Sequence, residues 1–176
     1  MANREALKEL QTRLAARLQA AAQGADTSAS SWLAVEAGGG HFLLPLAQSG
    51  EIFPWSHVQS VPYTRPWFLG VANLRGVLTG VVDLAGMLGM AQNHSEQTLS
   101  ESSLLALGGA LEVNAALLVN KLAGLRGAEA FVSSEPPPGD APPYFGSIYL
   151  DAQGTRWQEL SLQALSRHPA FLGISV

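Results

Sequence analysis

The chain has 176 residues, of which 47% are hydrophobic and only 14% charged, so we expect one compact unit with much of its length buried. A formal net charge of -4 argues against nucleic acid as a main partner. The sequence has no cysteine, which excludes disulfides and thiolate metal sites and fits a cytoplasmic protein. No apolar run approaches the roughly 18 residues that span a bilayer, so we expect no membrane insertion.

The first predicted element is a helix over residues 4–22. Leucines at spacings of three and four place one apolar stripe along it, formed by Leu7, Leu10, Leu14 and Leu18. Two uses of this stripe stay open, namely packing on the protein's own body and docking of a partner. We therefore expect an amphipathic helix and linker at residues 1–28 and the main domain at residues 29–176.

From residue 30 the pattern changes to short β-type segments, and the 18 glycines and 10 prolines favour a β-rich fold with many turns. The elements predicted up to residue 90 are a hairpin of strands at 31–37 and 41–46, a strand near 51–53, a helical turn at 66–72, a strand at 77–82 and a short helix ending at residue 88. Asp83 is the expected N-cap of that helix, because its carboxylate can accept from free backbone N–H groups.

A polar, exposed connector is predicted at residues 92–103, and strands resume after it. The elements predicted beyond the connector are strands at 104–107, 111–119 and 122–132, a proline-rich loop at 133–143, a closing hairpin of strands at 144–150 and 155–160, and a helical turn at 161–166. The strands thus fall into two sets of about four to five that divide near residues 90–103.

Motifs of catalysis or metal binding are absent from the sequence. The four histidines form no i, i+4 metal pair, no serine lies in a nucleophile elbow, and the glycine-rich stretches lack the Lys-Ser/Thr of a phosphate loop. We therefore expect no catalytic residue, no metal, no cofactor and no enzymatic activity.

Arg75 is the residue with the most unusual setting, because it is the one cation in the apolar or small-residue run of 68–84. A buried charge needs a partner, since an unpaired one is costly, and Glu51 is the expected partner within the chain. Two roles for Arg75 stay open. It could be a buried structural residue, or it could present its donor groups to a partner protein.

Several short motifs, in their order and spacing, resemble the CheW-like family of chemosensory coupling proteins over roughly residues 30–165. The matching segments are 42–46 (FLLPL), 50–52 (GEI), 61–62 (VP), 69–76 (LGVANLRG), 82–84 (VDL), 88–89 (LG), 117–120 (LLVN) and 144–148 (YFGSI). Thr79, Gly80 and Asn120 depart from the family pattern. The C-terminal residues 163–174 and the leucine-striped helix resemble the PilI-type branch, which serves type IV pilus and twitching-motility systems.

This resemblance implies a mainly all-β fold of two SH3-like, five-stranded β-barrels that share a core, with an N-terminal helix and short helical turns. The first barrel would span roughly residues 29–90 and the second roughly 103–160, followed by a C-terminal tail at 161–176. Proteins of this family are non-enzymatic adaptors that couple a methyl-accepting chemoreceptor to a CheA-type histidine kinase. Self-association in arrays is a further expectation.

The resemblance also implies two binding surfaces. The receptor groove would be formed by Glu51, Ile52, Asn73, Leu74, Arg75 and Gly76. The kinase's regulatory domain would contact the second barrel through Leu111, Val113, Leu117 and Val119. The alternatives are an adaptor of a flagellar or other chemosensory system, a small-molecule-binding β-barrel protein, and a piece of a larger kinase, against which the N-terminal helix and the tail favour a free-standing protein.

Overall fold

The computed structural model describes residues 2–23 and 31–176, and within the N-terminal helix it describes the side chains of residues 4–15. The α-helices in these ranges are α1 (Ala2–Gln23), α2 (Leu84–Met87), α3 (Glu96–Glu101), α4 (Leu162–Arg167) and α5 (Pro169–Leu172). The strands are β1 (Ser31–Ala37), β2 (Gly40–Pro45), β3 (Ser49–Pro54), β4 (Phe68–Leu74), β5 (Val77–Asp83), β6 (Ser103–Leu107), β7 (Ala115–Val119), β8 (Lys121–Gly127), β9 (Phe131–Glu135), β10 (Phe145–Asp151) and β11 (Arg156–Leu160). The mainly all-β prediction, with its N-terminal helix and short helical turns, is confirmed.

The strands form two sheets, and each sheet takes strands from both halves of the chain. The six-stranded sheet has the order β8-β1-β2-β11-β10-β9, and the five-stranded sheet has the order β3-β6-β7-β5-β4. Both are mixed, because β11 runs parallel to β2 and β5 runs parallel to β7. The prediction that the strands divide near residues 90–103, with one barrel at 29–90 and the other at 103–160, is therefore wrong. Strands β1 and β7 are apolar on both faces and lie inside their sheets. Each pairs with one strand from the first half of the chain and one from the second half.

In several strands alternate residues enter different hydrophobic clusters, as the two-residue repeat of a strand requires. In β7, Leu117 and Val119 join a cluster that contains residues of both sheets, whereas Ala116 and Leu118 join one built from the five-stranded sheet. We call the first cluster the shared core. A third cluster around Trp32 belongs to the six-stranded sheet. Both faces of β7 are thus buried, which explains its uninterrupted apolar sequence.

The six-stranded sheet curls around its own cluster. Trp32 on β1 contacts Phe131 on β9 and Tyr149 on β10, with ring centroids 5.7 Å and 4.9 Å apart, although two strands separate β1 from β10 in the sheet order. Such contacts across a sheet require strong curvature. Two curled sheets that share a core correspond to the architecture that the resemblance implies, with six and five strands in place of five and five.

In two segments the structure has a strand where a local turn signal predicts a turn or loop. The segment 66–72, predicted as a helical turn from Pro66, belongs largely to β4, which pairs with β5 from Phe68↔Val82 to Leu74↔Val77. The loop predicted at 133–143 loses its first three residues to β9, which pairs with β10. In both places hydrogen bonding to a neighbouring strand overrides the local turn signal.

Helix α1 packs along β3 and the adjoining 3₁₀ turn Leu46–Gln48. Leu14 is buried in the shared core, and the buried Gln11 donates from Nε2 to Ser103 Oγ at 2.6 Å. The prediction that the stripe packs on the protein's own body is confirmed for Leu14, but Leu10 is 41% exposed. The side chain of Leu18 and the linker 24–30 lie outside the described residues. Among the described residues, no helix is long and apolar enough to cross a membrane.

Candidate partner-binding surface

The β4–β5 hairpin ends in a two-residue turn formed by Arg75 and Gly76. Leu74 pairs with Val77, and both turn residues have positive φ, +53° and +81°, as a type I′ turn requires. The Asn73 side chain supports the turn, since its Oδ1 accepts from the backbone N–H of Gly76 at 2.7 Å. The left-handed conformation costs a non-glycine residue such as Arg75 about 1 kcal/mol. The turn therefore holds Arg75 at an exposed tip, against its backbone preference.

Arg75 and Glu51 form an ion pair between Nη2 and Oε1, which confirms the predicted pairing. The Arg75 side chain is 71% exposed and that of Glu51 is 25% exposed, so the structural role as a buried arginine is wrong. Such an exposed pair contributes about 0–1 kcal/mol to stability. Most of the guanidinium surface remains accessible, and the carboxylate fixes its position.

The predicted receptor groove divides into exposed and buried residues. Asn73, Arg75 and Gly76 are exposed, and Glu51 is half-buried beside them. Ile52 and Leu74 are buried, Ile52 in the shared core and Leu74 in the cluster of the five-stranded sheet. Their side chains support the surface from beneath, so the prediction that they line it is wrong in this conformation.

Two apolar residues that the sequence reasoning assigned to a buried strand extend the exposed tip. Val77 is half exposed and Leu78 is 68% exposed, directly after Gly76 in the hairpin. We call residues 73–78 the hairpin tip. The signal that could have identified these residues is the Arg-Gly pair itself, because a type I′ turn places the flanking residues at the end of a hairpin.

The residues predicted to contact the kinase are mostly part of the interior. Leu117 and Val119 are 0% exposed and lie in the shared core, so their side chains are not accessible to a partner in this structure. Leu111 and Val113 are partly buried and pack against the same core. The predicted strand 111–119 begins only at Ala115, because a 3₁₀ turn at Gly109–Leu111 and a left-handed Glu112 precede it.

The buried or hydrogen-bonded carboxylates have structural roles. Asp83 caps α2, since its Oδ1 accepts from Ala85 N–H at 3.1 Å, which confirms the predicted N-cap, and its Oδ2 lies 2.7 Å from His94 Nε2. The indole N–H of Trp157 lowers the pKa of Asp151, to which the backbone N–H groups of Thr155 and Gln153 also donate. Within the described ranges, no group of three or more His, Cys, Asp or Glu residues is arranged to hold a metal ion.

A cleft of about 340 Å³ lies where the segment that leads into β4 meets α2 and α5. Its lining is mainly apolar and aromatic, with one cation: Arg65, Trp67, Met87, Tyr144, Pro169, Ala170 and Gly173. None of the residues predicted for partner binding belongs to this lining. The Nε of Arg65 donates to the carbonyl of Gly173 at 3.1 Å, which ties the C-terminal residues to the start of β4.

Comparison with known proteins agrees with this architecture. The PilI protein of Pseudomonas aeruginosa is 28% identical to the chain over 165 residues, which cover 91% of this chain and 89% of PilI. The scaffolding protein TtCheW of Thermoanaerobacter tengcongensis has a similar fold, with a TM-score of 0.65 at 17% identity over 82% of this chain and 93% of that chain. The family model of the CheW-like domain matches residues 31–170. The chain therefore belongs to the CheW-like family.

Proposed function

We propose that the protein is a non-enzymatic, cytoplasmic adaptor that couples a methyl-accepting chemoreceptor to a CheA-type histidine kinase in a type IV pilus chemosensory system. The observation that carries this proposal is the CheW-like domain over residues 31–170, in which the hairpin tip presents Arg75. The similarity to PilI supports assignment to the pilus branch.

The hairpin tip has the composition of a protein-binding surface. The exposed side chain of Arg75 is followed in the same hairpin by the exposed apolar residues Val77 and Leu78. Arginine is among the residues that contribute most to binding energy at protein interfaces, and the buried centre of an interface is more apolar than its rim. A receptor helix that offers an acidic side chain next to apolar ones would match this surface.

The kinase contact is proposed for the surface next to Leu111 and Val113, which stay partly accessible at the start of β7. The buried Leu117 and Val119 would fix the backbone beneath that surface. Two separate contacts on one small domain allow weak interactions to act together, because binding of one partner raises the effective concentration of the other. The receptor's state would reach the kinase when one contact biases the other.

Calorimetry tests the proposal with two purified fragments from the same bacterium, the kinase regulatory domain and the receptor's cytoplasmic tip. We expect saturable, micromolar binding of each fragment. Arg75→Ala should weaken receptor binding about tenfold, which corresponds to one charge-assisted contact of about 1.4 kcal/mol. Arg156→Ala is the matched control, because Arg156 is also an exposed arginine paired with a glutamate, Glu135, at 2.6 Å.

Failure of a well-folded protein to bind the kinase domain would overturn the adaptor proposal. The pilus assignment has its own test in a strain that lacks the gene. Loss of twitching with swimming retained supports it, whereas loss of swimming alone assigns the protein to a flagellar system.

A further inference from the structure

Ile52, a residue expected in the receptor groove, is 5% exposed because the protein covers its own β3. The shared core in which Ile52 lies also contains Leu14, which comes from α1. Strand β3 is the first strand of the five-stranded order, and α1 packs along it. A helix therefore already occupies the side of β3 that bears Ile52.

We propose that α1 is an intramolecular occupant of this part of the receptor groove, and that a receptor helix must displace it. This inference rests on the proposed function. It identifies the covered surface on β3 and β6 as a docking site for an amphipathic helix. Glu51, which pairs with Arg75, precedes Ile52 on β3, so the covered surface and the exposed part of the groove share one strand.

The contacts of α1 define the kind of helix that fits. Gln11 and Leu14 are three residues apart and therefore lie on one face of α1. Leu14 supplies an apolar side chain to the shared core, and Gln11 supplies a hydrogen-bond donor to Ser103. A receptor helix that replaces α1 would bury the Ser103 hydroxyl again. It must then offer this hydroxyl a hydrogen-bond partner, because a buried polar group without one is costly. A displacing helix therefore needs an apolar residue three positions from a hydrogen-bonding side chain.

The described side chains of α1 make few buried contacts with the rest of the protein. Among the described side chains at residues 4–15, those of Gln11 and Leu14 are the buried ones, and most of the others are exposed. Most of the stability of a helix in a protein comes from the packing of its apolar face, so α1 depends on these contacts. Segments with few buried contacts open at lower free energy than core strands such as β7, which is buried throughout.

Two pairs of variants test displacement in the full-length protein. Thr12→Pro breaks α1 at an exposed position and removes no buried side chain, and Thr12→Ala is its control. Leu14→Ser removes the apolar anchor, and Leu10→Ser makes the same change at a position that is 41% exposed. The probe is the purified cytoplasmic tip of the receptor, titrated by calorimetry. We expect Thr12→Pro and Leu14→Ser to lower its Kd at least about tenfold, and both controls to leave it within about twofold.

Hydrogen exchange on the unmodified protein gives a second readout that needs no variant. Saturation with the receptor fragment should decrease the protection of the amides in α1 and leave those in β7 protected. Unchanged or increased protection of α1 would overturn the proposal. So would weaker or equal receptor binding by Thr12→Pro, since α1 would then be a part of the receptor site or independent of it.

Binding of the kinase domain distinguishes a failure of the α1 displacement from a failure of the proposed adaptor function. A protein that binds the kinase domain, but gains no receptor affinity from Thr12→Pro, overturns the displacement of α1 and leaves the adaptor proposal standing. A well-folded protein that binds neither fragment fails the proposed function itself. Retained kinase binding by Leu14→Ser also shows that this variant is folded.

Discussion

The carboxylate of Glu51 and the guanidinium of Arg75 connect the two ends of the five-stranded sheet. Glu51 lies on β3, the first strand in the sheet order, and Arg75 lies in the turn after β4, the last strand. The sheet therefore curls until its ends meet at an exposed ion pair. An interaction that contributes little to stability can still hold a side chain in position for a partner.

Two substitutions at Arg75 separate the ion pair from the strained turn. Arg75→Ala removes the ion pair and keeps a side chain at φ +53°, so we expect a loss of less than about 1 kcal/mol in the free energy of unfolding. Arg75→Gly also removes the pair but relieves the left-handed strain, so it should be about 1 kcal/mol more stable than Arg75→Ala. Urea denaturation measures both values. A loss of several kcal/mol in Arg75→Ala would instead assign Arg75 mainly to the fold.

The position of Leu117 gives a second prediction. Leu117→Ala should lower the free energy of unfolding by about 2–5 kcal/mol, because it leaves a cavity in the shared core. Leu78→Ala is the matched control at a 68% exposed position and should change it by no more than about 0.5 kcal/mol. Urea denaturation again gives both values. A mild effect of Leu117→Ala, with kinase binding lost, would restore Leu117 as a contact residue.

Local signals were enough to predict several features of the fold and the site. Three glycines at 38–40 predict the first hairpin, and the structure has positive φ at Gly38 and Gly39 between β1 and β2. The position of Asp83 after a buried strand predicts its N-cap role. The need of Arg75 for a counter-charge predicts its pairing with Glu51. For the hairpin and the N-cap a single residue type satisfies a local physical demand, whereas the ion pair joins the two ends of the five-stranded sheet.

The remaining features depend on tertiary contacts that local patterns do not contain. The resemblance assigns Leu117 and Val119 to a partner contact, but the structure buries both side chains in the shared core. In α1, leucine spacing favours Leu10, yet the helix turns Gln11 inward because Ser103 accepts its hydrogen bond. The order of strands in each sheet likewise depends on long-range pairing, because each sheet contains strands from both halves of the chain.

Gly70 is a position where we expect the backbone to tolerate no side chain. A Cβ there would lie 2.0 Å from the carbonyl oxygen of Gln59, and φ is +139°. The segment at Gln59 cannot move away easily, since its backbone pairs with Val71 in both directions at 2.8 and 2.9 Å. Gly70→Ala should therefore lower the free energy of unfolding by about 2 kcal/mol or more.

The control for Gly70→Ala is Gly109→Ala, at an exposed glycine with no atom within 4 Å of the added Cβ. It should alter the free energy of unfolding by less than about 0.5 kcal/mol. Thermal and urea unfolding of both variants provide the comparison. Equal stability of the two variants would show that the 59–60 segment yields to a side chain at position 70.

Asp151 should make stability depend on pH in the acid range. Hydrogen bonds from the Trp157 indole and from backbone N–H groups lower its pKa in the folded state. A group with a lowered folded pKa stabilises the protein fully above its unfolded pKa, and this contribution is lost as the pH falls through the folded value. The loss should therefore occur below about pH 4. Asp151→Asn removes the titrating group, so below about pH 4 its melting temperature should fall less steeply than that of the unmodified protein. Asp140→Asn is the control, because Asp140 is an exposed aspartate in the proline-rich loop. Parallel curves for Asp151→Asn and the unmodified protein would contradict a lowered pKa at Asp151.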